Sequence, residues 1–244
     1  MTKIFAHRGF SGRYPENTLL AFQKAVETGC HGIELDVHLT KDRVPVIIHD
    51  ETLNRTTDGT GWVQDFSYEE LCRYNAAVRF AGCSSFEKIP TLRQYFQLIA
   101  PYKNFITNIE LKTGVIWYEG IEAETLKILD EFGRRETTII TSFNHLTVQK
   151  MKELAPGLKC GFLEESWLIN PDVYCKAGGV ECYHPYFPTM APRELEKLQK
   201  AGVEVNVWTV NTDEEIQQML RRGVDGIITN FPDRCLAMAA QRSR

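Results

Sequence analysis

Glu34 and Asp36 stand two residues apart in the run Gly32-Ile33-Glu34-Leu35-Asp36-Val37, which reads as a β-strand. Side chains of a strand alternate between faces, so both carboxylates leave one face while Ile33, Leu35 and Val37 leave the other. Two carboxylates side by side repel each other and are costly to remove from water. A cation is therefore expected between them, and hard oxygen ligands suit Mg²⁺ or Ca²⁺. The alternative is a charged, solvated face of an antiparallel sheet. The same spacing of two recurs in Ile109-Glu110-Leu111-Lys112, which gives Glu110 and Lys112 a common face. Short apolar runs also end in histidine, at Ile4-Phe5-Ala6-His7-Arg8 and at Val46-Ile47-Ile48-His49-Asp50.

An alternation of strand-like and helix-like segments must position these residues. A helix is expected over 17–29, with Leu19, Leu20, Phe22, Ala25 and Val26 as its apolar stripe and Gly29 as its stop. Strands follow at 32–37 and 44–48. Residues 50–90 break the rhythm with Asn, Thr, Asp and Gly turns and a short helical piece near Tyr68 to Tyr74, and they read as an insertion. A helix over 91–100 is closed by Pro101. Strands at 105–112, 137–141, 158–163, 180–183, 203–210 and 226–229 then alternate with helices at 118–132, 145–154, 171–177, 191–201, 213–222 and from about Pro232 to the chain end. Eight βα units in 244 residues predict a single (β/α)₈ TIM-barrel domain over 1–244, with a small insertion after the second strand. A doubly wound open sheet has the same alternation, because a pattern does not show closure.

Active sites of such barrels lie at the C-terminal ends of the strands. His7 and Arg8 follow the first strand, Glu34 and Asp36 lie in the second, and His49 follows its short extension. Glu110 and Lys112 end the third strand, Ser142 and Phe143 follow the fourth, His184 the sixth, and Trp208 is near the end of the seventh. That much charge converging from several strand ends reads as a metal site plus an anion site, not as packing.

Composition narrows the function classes. Apolar content of 43% is enough for a sizeable core, and no apolar run approaches the ~18 residues of a membrane span. Net charge is −4 with Lys and Arg scattered, which argues against a nucleic-acid partner. The seven cysteines are odd in number and form no CxxC pair, as expected of reduced, small buried residues. The opening Met1-Thr2-Lys3-Ile4-Phe5-Ala6-His7 lacks the apolar segment of a signal peptide, so a cytoplasmic enzyme or binding domain is expected.

The ordered motifs resemble the glycerophosphodiester phosphodiesterases. They are His7-Arg8-Gly9, Pro15-Glu16-Asn17-Thr18 with Ala21-Phe22, Gly32 to Val37, Thr40-Lys41-Asp42 and His49-Asp50. They continue with Leu53 to Thr57, Ile109 to Lys112, Ser142-Phe143, Val207 to Asn211 and Gly226 to Pro232. The resemblance implies a TIM barrel with an insertion after the second strand, one divalent metal (Mg²⁺ or Ca²⁺, with Mn²⁺ possible) on Glu34, Asp36 and Glu110, and an acid/base pair at His7 and His49. The chemistry agrees with the residue types. A phosphodiester is anionic and its leaving alkoxide is poor. A divalent metal polarises phosphoryl oxygens. Arg8 offers a planar donor fork and Lys112 a point charge. Two histidines can exchange protons with the nucleophile and the leaving oxygen, and the sequence leaves open which does which. Trp208 is expected to wall the substrate pocket, and Phe143 and His184 are candidates for its lining.

Other residues have simpler readings. His31, His38 and His145 are read as structural, Asn17 as a cap or turn residue, and Asp50, Arg55 and Thr56 as ordering the insertion at the rim. Asp58 to Gly61 lacks the spacing and lysine of a P-loop and reads as a turn. The expected reaction is cleavage of a small glycerophosphodiester to glycerol 3-phosphate and an alcohol, which the resemblance suggests passes through a cyclic phosphate. The alternatives are the same chemistry on a lysophospholipid, or a non-catalytic phosphate-binding barrel.

Overall fold

The computed structural model describes residues 1–242. Along the chain the elements are β1 (Lys3–His7), α1 (Leu19–Glu27), β2 (Gly32–Leu39), β3 (Pro45–Ile47), α2 (Tyr68–Leu71), α3 (Leu92–Ile99), β4 (Ile106–Leu111) and α4 (Ile121–Phe132). They continue with β5 (Thr138–Ser142), α5 (His145–Leu154), β6 (Lys159–Glu164), α6 (Pro171–Ala177), β7 (Cys182–Pro185), α7 (Pro192–Lys200), β8 (Glu204–Val207), α8 (Asp213–Arg222), β9 (Gly226–Thr229) and α9 (Pro232–Arg242). The helix expected to run to the chain end is seen as far as Arg242, and residues 243–244 lie outside the described residues.

Closure decides the fold. In β1, Ala6 partners Ile33 of β2 on one side and Thr229 of β9 on the other, both in parallel. With β4 to β9 following in order, eight parallel strands form a ring, which is a TIM barrel and not an open sheet. The strand expected at 44–48 is not a stave of that ring. As β3 it runs antiparallel to β2, pairing Val37 with Ile47 and Leu39 with Pro45, and so turns the chain back over the barrel mouth at His49.

Side-chain parity then assigns floor and rim. Phe5, Ile139, Cys182 and Ile228 pack together as a small cluster drawn from four of the ring strands. His7 lies two residues beyond Phe5 and shares its face. Phe5 fits because Gly32 and Gly226 lack side chains: a Cβ on Gly32 would strike the Ile106 carbonyl and the Phe5 ring, and one on Gly226 would strike Asn206 and Phe5. The larger apolar core, including Phe22, Leu35, Tyr95, Phe96, Leu129 and Val148, fills the space between strands and helices.

Residues 50–90 hold a second small apolar cluster. Leu53, Val63, Leu71, Ala76 and Ile89 close on Val46 and Ile48 of the antiparallel return. Capping boxes set the starts of α2 (Ser67 with Glu70), α3 (Thr91 with Gln94) and α8 (Thr212 with Glu215). Helix α1 starts at Leu19 and not at 17, because Thr18 is its cap, accepting from the Ala21 N–H, and Asn17 has a left-handed φ of 56°. Among the described residues, no helix is long and apolar enough to cross a membrane. All seven cysteines are free, and five of them are buried.

Candidate active site

The register of β2 against β4 sets Asp36 across from Glu110 and Glu34 across from Asn108. Glu34, Asp36 and Glu110 are buried, and one oxygen of each lies within 4.8 Å of the others. Their electrostatics are unequal. Burial, with the charges of Asp36 and Glu110 added, pushes Glu34 well above the carboxylate range. Burial also lifts Glu110 to about 7, with Lys112 opposing and Asp36 adding to the rise. Burial acts on Asp36 in the same direction, but Arg8, His49, Lys112 and a hydrogen bond from Asn17 together hold it below the ordinary range. An oxygen-only set of three crowded carboxylates, two of them reluctant to ionise without a counter-charge, fits a hard divalent cation. These three residues would hold it.

Each of the expected histidines is oriented from behind. His7 Nδ1 lies 2.6 Å from Asn230 Oδ1, an acceptor, which leaves Nε2 toward Glu34 at 3.9 Å. His49 Nδ1 lies 2.6 Å from Asp50 Oδ1, and its Nε2 is 3.4 Å from Lys112 Nζ. Burial, then the Arg8 charge, lowers His7 to about 3. Burial lowers His49 as well, opposed by Asp36 and assisted by Arg8 and Lys112. His38 completes the support: its Nε2 is 3.1 Å from the His49 carbonyl and its Nδ1 is 3.0 Å from the Tyr118 hydroxyl.

The cations are tied into the same network. Lys112 Nζ pairs with Glu110 at 2.9 Å. Arg8 Nη1 donates to Glu16 at 2.9 Å, and its Nε is 3.5 Å from Asp36. Arg8 has a left-handed φ of 56°, and its N–H bonds the Glu34 carbonyl at 2.8 Å. A non-glycine residue held there is locally strained, as is common at functional sites. Arg55 donates to Asp50 and to Glu16, so the chain His49–Asp50–Arg55–Glu16–Arg8–Asp36 is continuous.

These groups open into a cavity of about 300 Å³. His7, Arg8, Glu34, His49, Asn108, Glu110 and Lys112 line its charged side, while Phe143, Leu163, Trp208 and Ile228 line the other, with Thr209 and Glu165. Trp208 is pinned by its Nε1, which donates to the His184 carbonyl at 2.8 Å.

The model of the glycerophosphoryl diester phosphodiesterase family matches residues 7–234. The chain belongs to the glycerophosphoryl diester phosphodiesterase family. A glycerophosphodiester phosphodiesterase of Caldanaerobacter subterraneus subsp. tengcongensis is 44% identical over 234 residues, 95% of either chain. A crystal structure of a glycerophosphodiester phosphodiesterase from Agrobacterium tumefaciens superposes with a TM-score of 0.85 at 29% identity, covering 97% of this chain and 100% of that one. An Oleispira antarctica phosphodiesterase, solved in complex with the product sn-glycerol-3-phosphate, superposes with a TM-score of 0.90 at 27% identity, covering 99% of this chain and 97% of that one.

In this glycerophosphoryl diester phosphodiesterase family member, His7, Arg8, Glu34, His49, Glu110, Lys112 and Trp208 meet at one cavity, with Asp36 against Arg8. His184 does not line it. That imidazole is buried, bonded to Asn206 at 3.1 Å and lowered by burial to about 3. His31 and His145 are structural: His31 accepts the Ile4 N–H, and His145 sits between the Tyr174 hydroxyl and the Leu163 carbonyl. Asn17 does more than turn the chain, since its Nδ2 donates to Asp36 at 2.8 Å. Asp50 orders more than the insertion, because it orients His49. Asn230 lay within the Gly226 to Pro232 motif without being singled out as a site residue, and Glu165 carried no signal in the sequence.

Proposed function

We propose that this chain hydrolyses glycerophosphodiesters to glycerol 3-phosphate and an alcohol, with His7 and His49 as the acid/base pair and a Mg²⁺ or Ca²⁺ ion on Glu34, Asp36 and Glu110. The observation that carries this reading is the convergence of two imidazoles, each presenting Nε2 with Nδ1 occupied from behind, on the carboxylate trio. The family membership and the product complex of the Oleispira antarctica relative support it. When bound, the cation would supply Lewis-acid stabilisation of charge on the phosphoryl oxygens.

The chain's own residues do the rest. Arg8 and Lys112 bring positive charge to the phosphate and stabilise it as phosphorus becomes five-coordinate. The residues behind the two histidines differ. Asp50 behind His49 brings a full negative charge to a protonated ring, whereas Asn230 behind His7 offers only the oxygen of a neutral amide. His49 is therefore the better donor to the leaving oxygen and His7 the better acceptor from the attacking hydroxyl. That hydroxyl is the substrate's own, on the carbon beside the ester, and its attack gives a cyclic phosphate that water then opens.

The test is release of glycerol 3-phosphate from a set of glycerophosphodiesters by protein treated with a chelator and then given Mg²⁺, Ca²⁺ or Mn²⁺. Activity should vanish on chelation and return with at least one ion. Full activity in the metal-free protein would exclude the cation from this reading, and no release under any condition would exclude the reaction.

A further inference from the structure

The loop after β6 carries side chains that the chemistry above does not use. Residues 167–169 alternate as a strand would: Leu168 is half-buried and packs against the main core, while Trp167 and Ile169 are 67% and 83% exposed. Asn170 ends the segment in a left-handed turn with a φ of 54°, and its Oδ1 accepts from Lys197 Nζ at 2.8 Å. In the first turn of α6, Val173 is 62% exposed. Single exposed apolar residues are ordinary, but Trp167, Ile169 and Val173 together on one short, anchored stretch mark an interaction surface.

A second cavity, of about 490 Å³, adjoins this loop and shares no described residue with the catalytic one. Trp167, Pro188, Met190 and Pro192 give it an apolar wall, and Arg221 and Arg222, from the last turn of α8, supply its charge. No carboxylate among the described residues lines it, in a chain whose net charge is −4. Arg221 has no hydrogen-bond or ion-pair partner among the described residues. Arg222 donates to the Met190 carbonyl, but its Nε is buried without a partner. Burial lowers its pKa, with no acidic neighbour to oppose the shift. The helix dipole favours arginines at a helix C-terminus, yet Arg222 reaches away from α8 to bond Met190.

Two arginines without a carboxylate partner suit a phosphate or another anion. The exposed indole, with Ile169 two residues on, suits an apolar medium, and tryptophan is favoured where such a medium meets water. An anionic lipid surface offers both at once, head-group phosphates to the arginines and the acyl boundary to the projecting side chains. We propose that the 167–169 loop and the cavity of Arg221 and Arg222 dock this chain on an anionic lipid surface. The loop follows the C-terminal end of β6, so docking sets the mouth of the barrel beside the lipid. This contact is independent of the phosphodiesterase reading and goes beyond it.

Co-sedimentation with phosphatidylglycerol vesicles, compared with phosphatidylcholine vesicles, tests the contact. Binding should be roughly tenfold or more tighter on the anionic lipid and should fall as salt rises. Trp167→Ala should weaken it roughly tenfold, and Arg221→Gln roughly fivefold, about the effect of one charge near such a surface. Both residues are exposed and neither lines the catalytic cavity, so folding and the hydrolysis of a glycerophosphodiester in free solution should be unchanged. Absence of binding, equal binding to the two lipids, or binding that either substitution leaves unchanged overturns the proposal. Binding to polyglutamate as tight as to the vesicles would overturn it in favour of an acidic protein partner. Release of the vesicles by inorganic phosphate at constant ionic strength would overturn it in favour of a pocket for a free anion.

Discussion

His49 donates from Nδ1 to the carboxylate of Asp50, the next residue in the chain, across 2.6 Å. Neighbouring side chains in an extended segment point apart, and this contact forms because β3 has ended and Arg55 holds Asp50 with two hydrogen bonds, Nε to Oδ2 at 2.8 Å and Nη2 to Oδ1 at 3.0 Å. Asp50→Asn keeps the shape but removes the charge and the fixed acceptor. We expect kcat to fall by roughly ten- to hundredfold, as for other orienting partners. The Asp50 hydrogen bond raises the His49 pKa, so its loss should also move the limb of the pH–rate profile that His49 governs to lower pH. A variant with lower kcat and an unmoved profile would assign Asp50 to packing alone.

His7→Ala and His49→Ala should each reduce kcat by roughly 10²–10⁴-fold, the usual range for a positioned acid or base. The double variant should lose much less than the product of the two, because the residues act as a unit. Single-turnover rates on one diester provide the comparison. Near-normal kcat in either single variant would make that histidine structural.

Much of this site was legible because strands have a period of two. Glu34 with Asp36, and Glu110 with Lys112, share faces by spacing alone, and the barrel followed from the βα rhythm. What pairs across strands was not legible, since closure and register are long-range. Nothing local says that Asp36 lies opposite Glu110 or that His7 backs onto Asn230, 223 residues away. Asn17 satisfied the rules for a helix cap, but Thr18 takes that role and the left-handed turn at Asn17 aims its amide at Asp36. His184 lies at a strand end, as expected, but is buried with its carbonyl under the Trp208 indole. Glu165 lies in a loop with no periodicity to mark it.

The raised carboxyls make cation binding a proton exchange. In chelated protein Glu34 and Glu110 hold protons toward neutrality, and a divalent cation must displace them. Affinity should therefore weaken as pH falls below about 7, the value to which Glu110 is lifted. The effect on stability has a definite sign. A carboxyl raised from 4.5 to about 7 on folding favours the folded chain at low pH, and that contribution is lost as pH rises between the two values. The chelated protein should thus lose melting temperature across that window, and added cation should restore it. Titration calorimetry in buffers of different ionisation enthalpy reads the released protons directly. Asn17→Ala, which frees Asp36, should weaken cation affinity by roughly 10- to 100-fold. Binding that is independent of pH and releases no protons would contradict the electrostatics of the trio.

The last prediction concerns the nucleophile. A glycerophosphodiester carries a hydroxyl on the carbon beside its phosphate ester, held covalently near the phosphorus. Intramolecular attack avoids the translational and rotational entropy that a free water must lose, an advantage that reaches about 7–11 kcal/mol in well-oriented cases. His7, with Nε2 directed into the site, is placed to take the hydroxyl proton, and His49 to give one to the departing alcohol. An analogue in which that hydroxyl is replaced by hydrogen should still bind, because its phosphate and leaving group are unchanged, and should act as a competitive inhibitor with very slow turnover. Quenched reactions on the normal substrate should contain a transient cyclic phosphate. The synthetic cyclic phosphate, added alone, should be opened to glycerol 3-phosphate at a rate no lower than overall turnover. Rapid cleavage of the deoxy analogue would instead mean that water attacks directly, and would leave the two histidines in place while removing the cyclic step.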